Sequence, residues 1–179
     1  MSQFTQKAII QTFQDMLEKM PFDKITVSAI VSNCEISSNT FYYHFRDIYD
    51  LLDTWLNGIK KKYTENDDVS WQEVLKSLLK DMQKNPNLVY HLFNSLSRER
   101  IERYIFESMT DTFYQFLCNE IMDERIPEKT LKSFSEYTCY SFLGFFLKFI
   151  WNHMNADIDE SIDKISSIFE ASLNGLKEQ

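Results

Sequence analysis

Glycine and proline are scarce in this chain, with three of each among 179 residues. Average proteins contain about 7% glycine and about 5% proline. An all-β fold needs such turn residues at about every tenth position, so the shortage favours an all-α fold. The three glycines, Gly58, Gly144 and Gly175, also lie too far apart to form the two common glycine-rich loops that bind nucleotide phosphates. Nucleotide-dependent enzymes of those two types are therefore excluded.

The cysteines and the apolar segments indicate a protein of the reducing cytoplasm. Cys34, Cys118 and Cys139 are odd in number and widely spaced, a pattern typical of reduced core thiols rather than of disulfides or metal ligands. The first residues lack the apolar region of a signal peptide. The most apolar stretch, 142–151, is interrupted by Lys148 and is shorter than the roughly 20 residues that cross a membrane. We expect a cytoplasmic protein with no cofactor, no metal and no membrane association.

The charged residues are distributed unevenly along the chain. The net charge is −8, but residues 1–62 carry seven basic and seven acidic side chains, whereas residues 63–179 carry 12 basic and 20 acidic ones. An anionic ligand would therefore bind more favourably to the N-terminal part. This part is neutral, although DNA-binding modules are commonly basic.

Apolar residues recur with a period near 3.6, which predicts an all-α fold of about nine helices. Ser70 and Glu73 are spaced as a capping box, and Asn85 before Pro86 is typical of an N-cap followed by a proline at the first helical position. Pro21 is expected to end the first helix, whose inner face would include Phe4. The helices with a readable start or end are predicted at 3–20, 27–34, 38–44, from 70, from 86, at 98–122, at 127–155 and from 157.

The last two predicted helices are expected to pair with those of a second chain. Apolar residues in the last helix recur at alternating spacings of four and three, as in helices packed at shallow angles. The segment 142–151 is apolar nearly all round, so either the chain's own core or a partner subunit must cover its second side. We favour a partner, which predicts a homodimer. The predicted interface residues are Phe142, Phe146, Trp151, Ile158, Ile162, Ile165 and Phe169.

Two short helices separated by a tight turn are predicted within residues 24–52. Thr26 is a good N-cap for a helix over 27–34, the turn falls at Glu35 and Ile36, and Ser37 would cap a second helix over 38–44. Such a pair is typical of a helix-turn-helix, whose second helix enters the major groove of DNA.

The second helix of this pair is expected to bury two phenylalanines, Phe41 and Phe45, and to expose small polar and aromatic side chains. A helix that only faces solvent usually carries Lys and Glu, whereas hydroxyl, amide and imidazole groups suit phosphate oxygens and base edges. We expect one of Tyr42 and Tyr43 to be partly buried. The candidate DNA-binding residues are Thr26, Val27, Ser37, Ser38, Asn39, Thr40, Tyr42, Tyr43, His44 and Arg46.

The run from Ile25 to Leu52 resembles the TetR family of transcriptional regulators. The specific part is Thr-Phe-Tyr-Tyr-His-Phe at residues 40–45, within a frame that covers 36–45. Residues 39–47 and the aromatic segment 140–151 look more like the subgroup that regulates dihydroxyacetone kinase operons. Family members often carry glycine where Glu35 and Asn39 stand and lysine where Ile48 stands, so Arg46 is the nearest cation that could replace that lysine.

The resemblance implies a non-enzymatic homodimer that binds a roughly palindromic double-stranded DNA operator. It implies a helix-turn-helix domain over residues 1–48 and a helical regulatory and dimerisation domain over 49–179. It also implies a pocket for a small-molecule effector, and aromatic side chains with one polar atom suit such a site. The candidate pocket residues are Tyr90, Phe93, Phe113, Tyr137 and Tyr140.

Two alternatives stay open at this point. One is a regulator controlled by a protein coactivator, without a small-molecule pocket. The other is a helical enzyme or lipid-binding bundle that keeps the helix-turn-helix as a relic. We interpret the other polar signals as structural: His91 and His153 as packing residues, 60–62 as a solvated lysine face, and Glu99 with Arg103 as a helix-surface ion pair.

Overall fold

The computed structural model describes residues 2–64, 69–120 and 126–177. Helices dominate these ranges, which contain no β-strand, so the all-α prediction is confirmed. None of the helices there combines the length and apolar character needed to cross a bilayer. The helices are α1 (Ser2–Leu17), α2 (Val27–Asn33), α3 (Ser38–His44), α4 (Ile48–Thr64), α5 (Trp71–Lys84), α6 (Pro86–Phe93), α7 (Arg98–Glu120), α8 (Glu128–Trp151) and α9 (Ile158–Lys177), with a short 3-10 helix at Phe22–Lys24.

The chain divides into two compact units, residues 1–96 and 97–179. The first unit contains α1 to α6, so the two helices of the helix-turn-helix, α2 and α3, share their unit with four further α-helices. A domain boundary was predicted after residue 48, at the expected end of the helix-turn-helix domain, and it stays a prediction.

Aromatic packing builds the core of the first unit. Phe13 of α1 is fully buried, and its ring meets Phe22 and Trp55 edge-on at centroid distances of 6.1 and 5.9 Å. His91 of α6 is joined to the end of α1, because its Nδ1 lies 2.8 Å from the Leu17 carbonyl oxygen. The predicted structural role of His91 is thereby confirmed.

The first helix ends at Leu17, three residues before the predicted end at Met20. The amides of Lys19 and Met20 both donate to the Met16 carbonyl, which turns the chain before Pro21. A residue before proline is disfavoured in the α conformation, so the helix cannot continue to the proline. Phe4 was predicted on the inner face but is 83% exposed.

Three predicted helix starts can be compared with their hydrogen bonds. The capping box of Ser70 and Glu73 is present in full, and Asp157 accepts the Glu160 amide at 2.9 Å. Asn85 makes no cap for α6, because its side-chain amide donates to the Asp81 carbonyl at 3.0 Å. Its side chain therefore completes the end of α5 instead.

The second unit is held together by phenylalanines from three helices. Phe169 of α9 lies 6.3 Å from Phe113 of α7 and 5.7 Å from Phe134 of α8, measured between ring centroids. The fourth ring, Phe142, lies 5.2 Å from Phe113. These contacts make α7, α8 and α9 one core, in which the inner face of α9 is buried.

The helix α8 ends at Trp151, four residues before the predicted end. His153 and Met154 follow in the left-handed region, with φ values of 56° and 55°. The Met154 amide donates back to the Phe149 carbonyl at 2.8 Å, which closes the end of the helix.

Candidate nucleic-acid interface

The two helices predicted within residues 24–52 are present, and each starts at the predicted N-cap. The Thr26 hydroxyl oxygen accepts the Ala29 amide at 3.2 Å, and the Ser37 hydroxyl oxygen accepts the Thr40 amide at 3.1 Å. Each bond satisfies one of the amides that the first turn of a helix leaves without a partner. Ile30 of α2 is fully buried and fixes this helix to the core.

A Schellman turn joins α2 to α3. The Ile36 amide donates to the Val31 carbonyl at 3.2 Å, and the Glu35 amide donates to the Ser32 carbonyl at 3.3 Å. Glu35 takes a φ of 53° at the position that glycine usually occupies in this motif. The turn predicted at Glu35 and Ile36 is therefore confirmed, with Glu35 in the left-handed region.

Two buried rings anchor α3 and leave its other side exposed. Phe41 and Phe45 are almost completely buried and lie 5.7 Å apart. The opposite side presents four exposed side chains, while Thr40 and His44 are half-buried. The exposed residues are Ser38, Asn39, Tyr42 and Tyr43.

Both tyrosines of α3 face solvent, so the prediction that one would be partly buried is wrong. Tyr42 is 57% exposed and Tyr43 is 77% exposed. The Tyr42 ring meets the Phe41 ring edge-on at 5.5 Å, and the Tyr43 ring meets the His44 imidazole edge-on at 5.1 Å. Neighbouring rings thus support both tyrosines, and their hydroxyls remain available to a ligand.

The two cations nearest to α3 in sequence are both paired with carboxylates. Arg46 lies just after α3, and its Nη2 is 3.2 Å from Asp50 Oδ1. Lys24 Nζ lies 3.4 Å from Asp23 Oδ2. The Asp50 partner, which the sequence reasoning did not consider, lies at the i,i+4 spacing typical of helical ion pairs.

The lysine run at 60–62 is tied in part to a neighbouring helix. Asp81 of α5 accepts hydrogen bonds from the Tyr63 hydroxyl at 2.5 Å, from Lys84 Nζ at 3.1 Å and from Lys62 Nζ at 3.2 Å. These hydrogen bonds lower the pKa of Asp81 to about 2, and the bond from Tyr63 has the largest effect. Lys62 therefore joins α4 to α5.

The predicted surface pair of Glu99 and Arg103 is also present, at 3.3 Å.

The candidate pocket residues are divided between the two units. Tyr90 and Phe93 lie half-buried on α6 of the first unit. Phe113 is buried in the aromatic core of the second unit, whereas Tyr137 and Tyr140 are exposed on α8. The effector pocket stays a prediction.

Four of the seven predicted dimer-interface residues are buried within the chain and offer almost no surface to a partner. They are Phe142, Ile158, Ile162 and Phe169. Phe146 and Ile165 are half-buried, and Trp151 is 63% exposed. The sequence reasoning missed the exposed Ile168 of α9 as an interface candidate.

Glu35→Gly should raise the free energy of unfolding by about 0.5–1 kcal/mol. A side chain in the left-handed region costs about 1–2 kcal/mol, and the greater freedom of glycine in the unfolded chain offsets part of that gain. The measurement is urea denaturation followed by circular dichroism. Glu35→Ala is the matched control, because it removes the carboxylate but keeps Cβ and should bring no gain. Equal stabilisation by both variants would contradict the strain argument.

The described geometry defines a helix-turn-helix protein whose second helix presents polar and aromatic side chains. Comparison with known proteins identifies its relatives. The family model for the C-terminal region of TetR-type transcriptional regulators matches residues 69–171. This chain belongs to the TetR family of transcriptional regulators, a non-enzymatic family whose members bind DNA operators and typically dimerise. The alternative of a helical enzyme is thereby set aside.

Individual proteins are similar to this chain in sequence or in fold. The chain is 30% identical over 132 residues to the HTH-type dhaKLM operon transcriptional activator DhaS of Lactococcus lactis subsp. lactis (strain IL1403), a match that covers 72% of this chain and 64% of that protein. A solved structure of the dihydroxyacetone kinase operon activator DhaS has a TM-score of 0.70 at 20% identity, covering 95% of this chain and 96% of that chain. A TetR transcriptional regulator from Streptococcus agalactiae 2603V has a TM-score of 0.68 at 20% identity, covering 94% of each chain.

Proposed function

We propose that the chain is a homodimeric regulator that reads a roughly palindromic operator with residues 26–46. Operator binding is modulated by a ligand or a partner that acts on the C-terminal part. The observation that carries the proposal is the exposed side of α3. This side presents the Ser38 hydroxyl, the Asn39 amide and the phenol groups of Tyr42 and Tyr43, while the rings of Phe41 and Phe45 are buried. Such groups bond to base edges and phosphates without adding positive charge.

Five of the candidate residues have a specific proposed role. Asn39 offers an amide that can pair bidentately with adenine. Tyr42, Tyr43 and His44 offer donors to phosphates and base edges. The start of α2 at Val27 presents a backbone amide to a phosphate, as helix starts do in many nucleic-acid complexes.

The second chain of the homodimer is proposed to pack on the exposed sides of α8 and α9. Tyr137, Tyr140 and Trp151 are spaced by three and eleven residues, so they share one side of α8. Gly144 lies between them on the same side and leaves open space around its backbone. Ile168 of α9 is 68% exposed, which is unusual for isoleucine. A four-helix contact between two copies would cover these side chains.

A small-molecule effector and a protein coactivator are the two candidates for the modulating partner. The effector follows from the aromatic residues predicted to line a pocket. The coactivator is favoured by one observation, because Tyr137 and Tyr140, two of the residues predicted to line the pocket, lie instead on the side of α8 that the second copy is proposed to cover. The relatives named DhaS are described as operon activators, which agrees with either form of control.

A mobility-shift assay tests the proposal with the purified full chain. The probe is the DNA upstream of its own gene, with duplexes selected from a random pool as a second source of sites. We expect binding by the purified chain, and we expect cell extract to change it. Extract is divided by ultrafiltration, so that activity in the filtrate indicates a small molecule and activity in the retained fraction indicates a protein. Failure to select any duplex would overturn the DNA contacts, and indifference to both fractions would overturn the modulation.

A further inference from the structure

The side chain of Asp50 holds two donors of Arg46 at the junction between α3 and α4. Asp50 Oδ2 accepts the Arg46 backbone amide at 2.9 Å, and Oδ1 accepts the guanidinium Nη2 at 3.2 Å. Both carboxylate oxygens are therefore used by one residue. The Arg46 side chain is 86% exposed, whereas the Asp50 side chain is only 28% exposed. The carboxylate is thus the fixed member of this pair.

Asp50 is not needed to cap α4, because Asp47 does so. Asp47 Oδ1 accepts the backbone amides of Tyr49 and Asp50 at 2.8 and 2.9 Å. Hydrogen bonds from the Arg46 backbone amide and guanidinium hold the pKa of Asp50 below its ordinary value. The side chain therefore carries its full negative charge at neutral pH.

A backbone amide beside a guanidinium is a pair of donors that DNA phosphates commonly engage. On Arg46 this pair already binds an anion. The Arg46 backbone amide has a single hydrogen, so it cannot donate equally good hydrogen bonds to Asp50 and to a phosphate at the same time. The guanidinium has further donors, but a phosphate that approached them would meet the negative charge of Asp50 close by.

We propose that Asp50 acts as an internal substitute for a DNA phosphate and limits the contribution of Arg46 to DNA binding. The proposal rests on the proposed position of Arg46 at the DNA backbone. Arg46 is the sole cation in the sequence between Lys24 and Lys60. Contacts between cations and phosphates supply most non-specific affinity for DNA. Asp50 therefore keeps non-specific binding weak while the hydroxyl, amide and imidazole groups of α3 retain their preference for the operator.

The experiment compares Asp50→Asn with the unaltered full chain on a selected duplex and on a scrambled duplex of the same length. Asparagine keeps an oxygen acceptor for the Arg46 amide, and thermal unfolding verifies that the fold is retained. The unaltered chain should show a slope of log affinity against log salt of about −3 to −5 for two half-sites. Asp50→Asn should bind the scrambled duplex about threefold to tenfold more tightly at low salt, as expected for one exposed ion pair at each half-site. Its salt slope should steepen by up to about 0.9 for each half-site.

Two controls make the outcome specific to Arg46. Asp53→Asn removes the same charge three residues further along α4 and should change the salt slope less. In an Arg46→Ala background, the gain from Asp50→Asn should vanish, as a double-mutant cycle requires of coupled residues. Equal or weaker binding by Asp50→Asn, an equal gain from Asp53→Asn, or a gain that persists without Arg46 would each overturn the proposal.

The same variants separate this inference from the proposed DNA surface. If Arg46→Ala weakens binding but Asp50→Asn does not strengthen it, Arg46 contacts DNA and only the role of Asp50 is wrong. If Arg46→Ala leaves affinity and salt slope unchanged even in the Asp50→Asn background, Arg46 lies away from the DNA, and both its proposed contact and the role of Asp50 are overturned.

Discussion

Ile168→Asp is expected to convert the proposed dimer into a folded monomer. The Ile168 side chain is 68% exposed on α9, so replacing it with a carboxylate should lower the stability of the single chain only slightly. In a two-fold symmetric interface the same substitution occurs in both copies and buries two unpaired charges. Sedimentation velocity should show the monomer. Operator affinity should fall by at least about 100-fold, because the two half-sites would no longer be bound by one linked pair of helix-turn-helix units.

Ile162→Asp provides the matched control for this experiment. It makes the same chemical change on the same helix, but Ile162 is completely buried within the chain. A buried unpaired carboxylate costs several kcal/mol, so this variant should lose its helical circular dichroism. A folded dimer of Ile168→Asp would contradict the proposed interface and would favour an interface that includes the half-buried Ile165 instead.

The helix-turn-helix could be predicted from the sequence because its signals are local. Thr26 and Ser37 act within their own first turns, and their capping bonds are present as predicted. Phe41 and Phe45 are four residues apart, a spacing that puts both rings on one side of a short helix. The turn between the helices involves only neighbouring backbone groups. A local pattern therefore suffices to fix this part of the fold.

The inner side of α8 could not be predicted in the same way. Its C-terminal half is apolar nearly all round, so periodicity does not separate the side that faces the chain's own core from the side left for a partner. The contact with Phe113, which is distant in sequence and itself packs against Phe169, decides that Phe142 points inward. The ion pair of Arg46 and Asp50, in contrast, could have been predicted, because its i,i+4 spacing is visible in the sequence.

Replacing Tyr42 or His44 of α3 is expected to weaken operator binding without unfolding the chain. Tyr42→Ala and His44→Ala should each cost about 1–3 kcal/mol of binding free energy. Tyr42→Phe keeps the ring contact with Phe41 and removes only the hydroxyl, so it isolates the proposed hydrogen bond to DNA. Fluorescence anisotropy on the selected duplex measures the affinities, and circular dichroism should stay unchanged. Affinities equal to that of the unaltered chain would show that α3 does not face the DNA.

Asn39→Ala should relax sequence preference more than it lowers affinity for DNA in general. The Asn39 side chain is exposed near the start of α3, the part of a recognition helix that contacts base edges. A bidentate amide–adenine pair is worth about 1–3 kcal/mol of discrimination against the wrong base, so loss of the amide should reduce the preference for adenine at one position of each half-site. Ser38→Ala is the matched control, because its neighbouring exposed hydroxyl can serve either a phosphate or a base and should not shift the preference at that same position. The measurement is competition among duplexes that vary one base pair at a time. If Asn39→Ala ranks them as the unaltered chain does, base discrimination lies with other residues of α3, and Asn39 contributes at most to positioning.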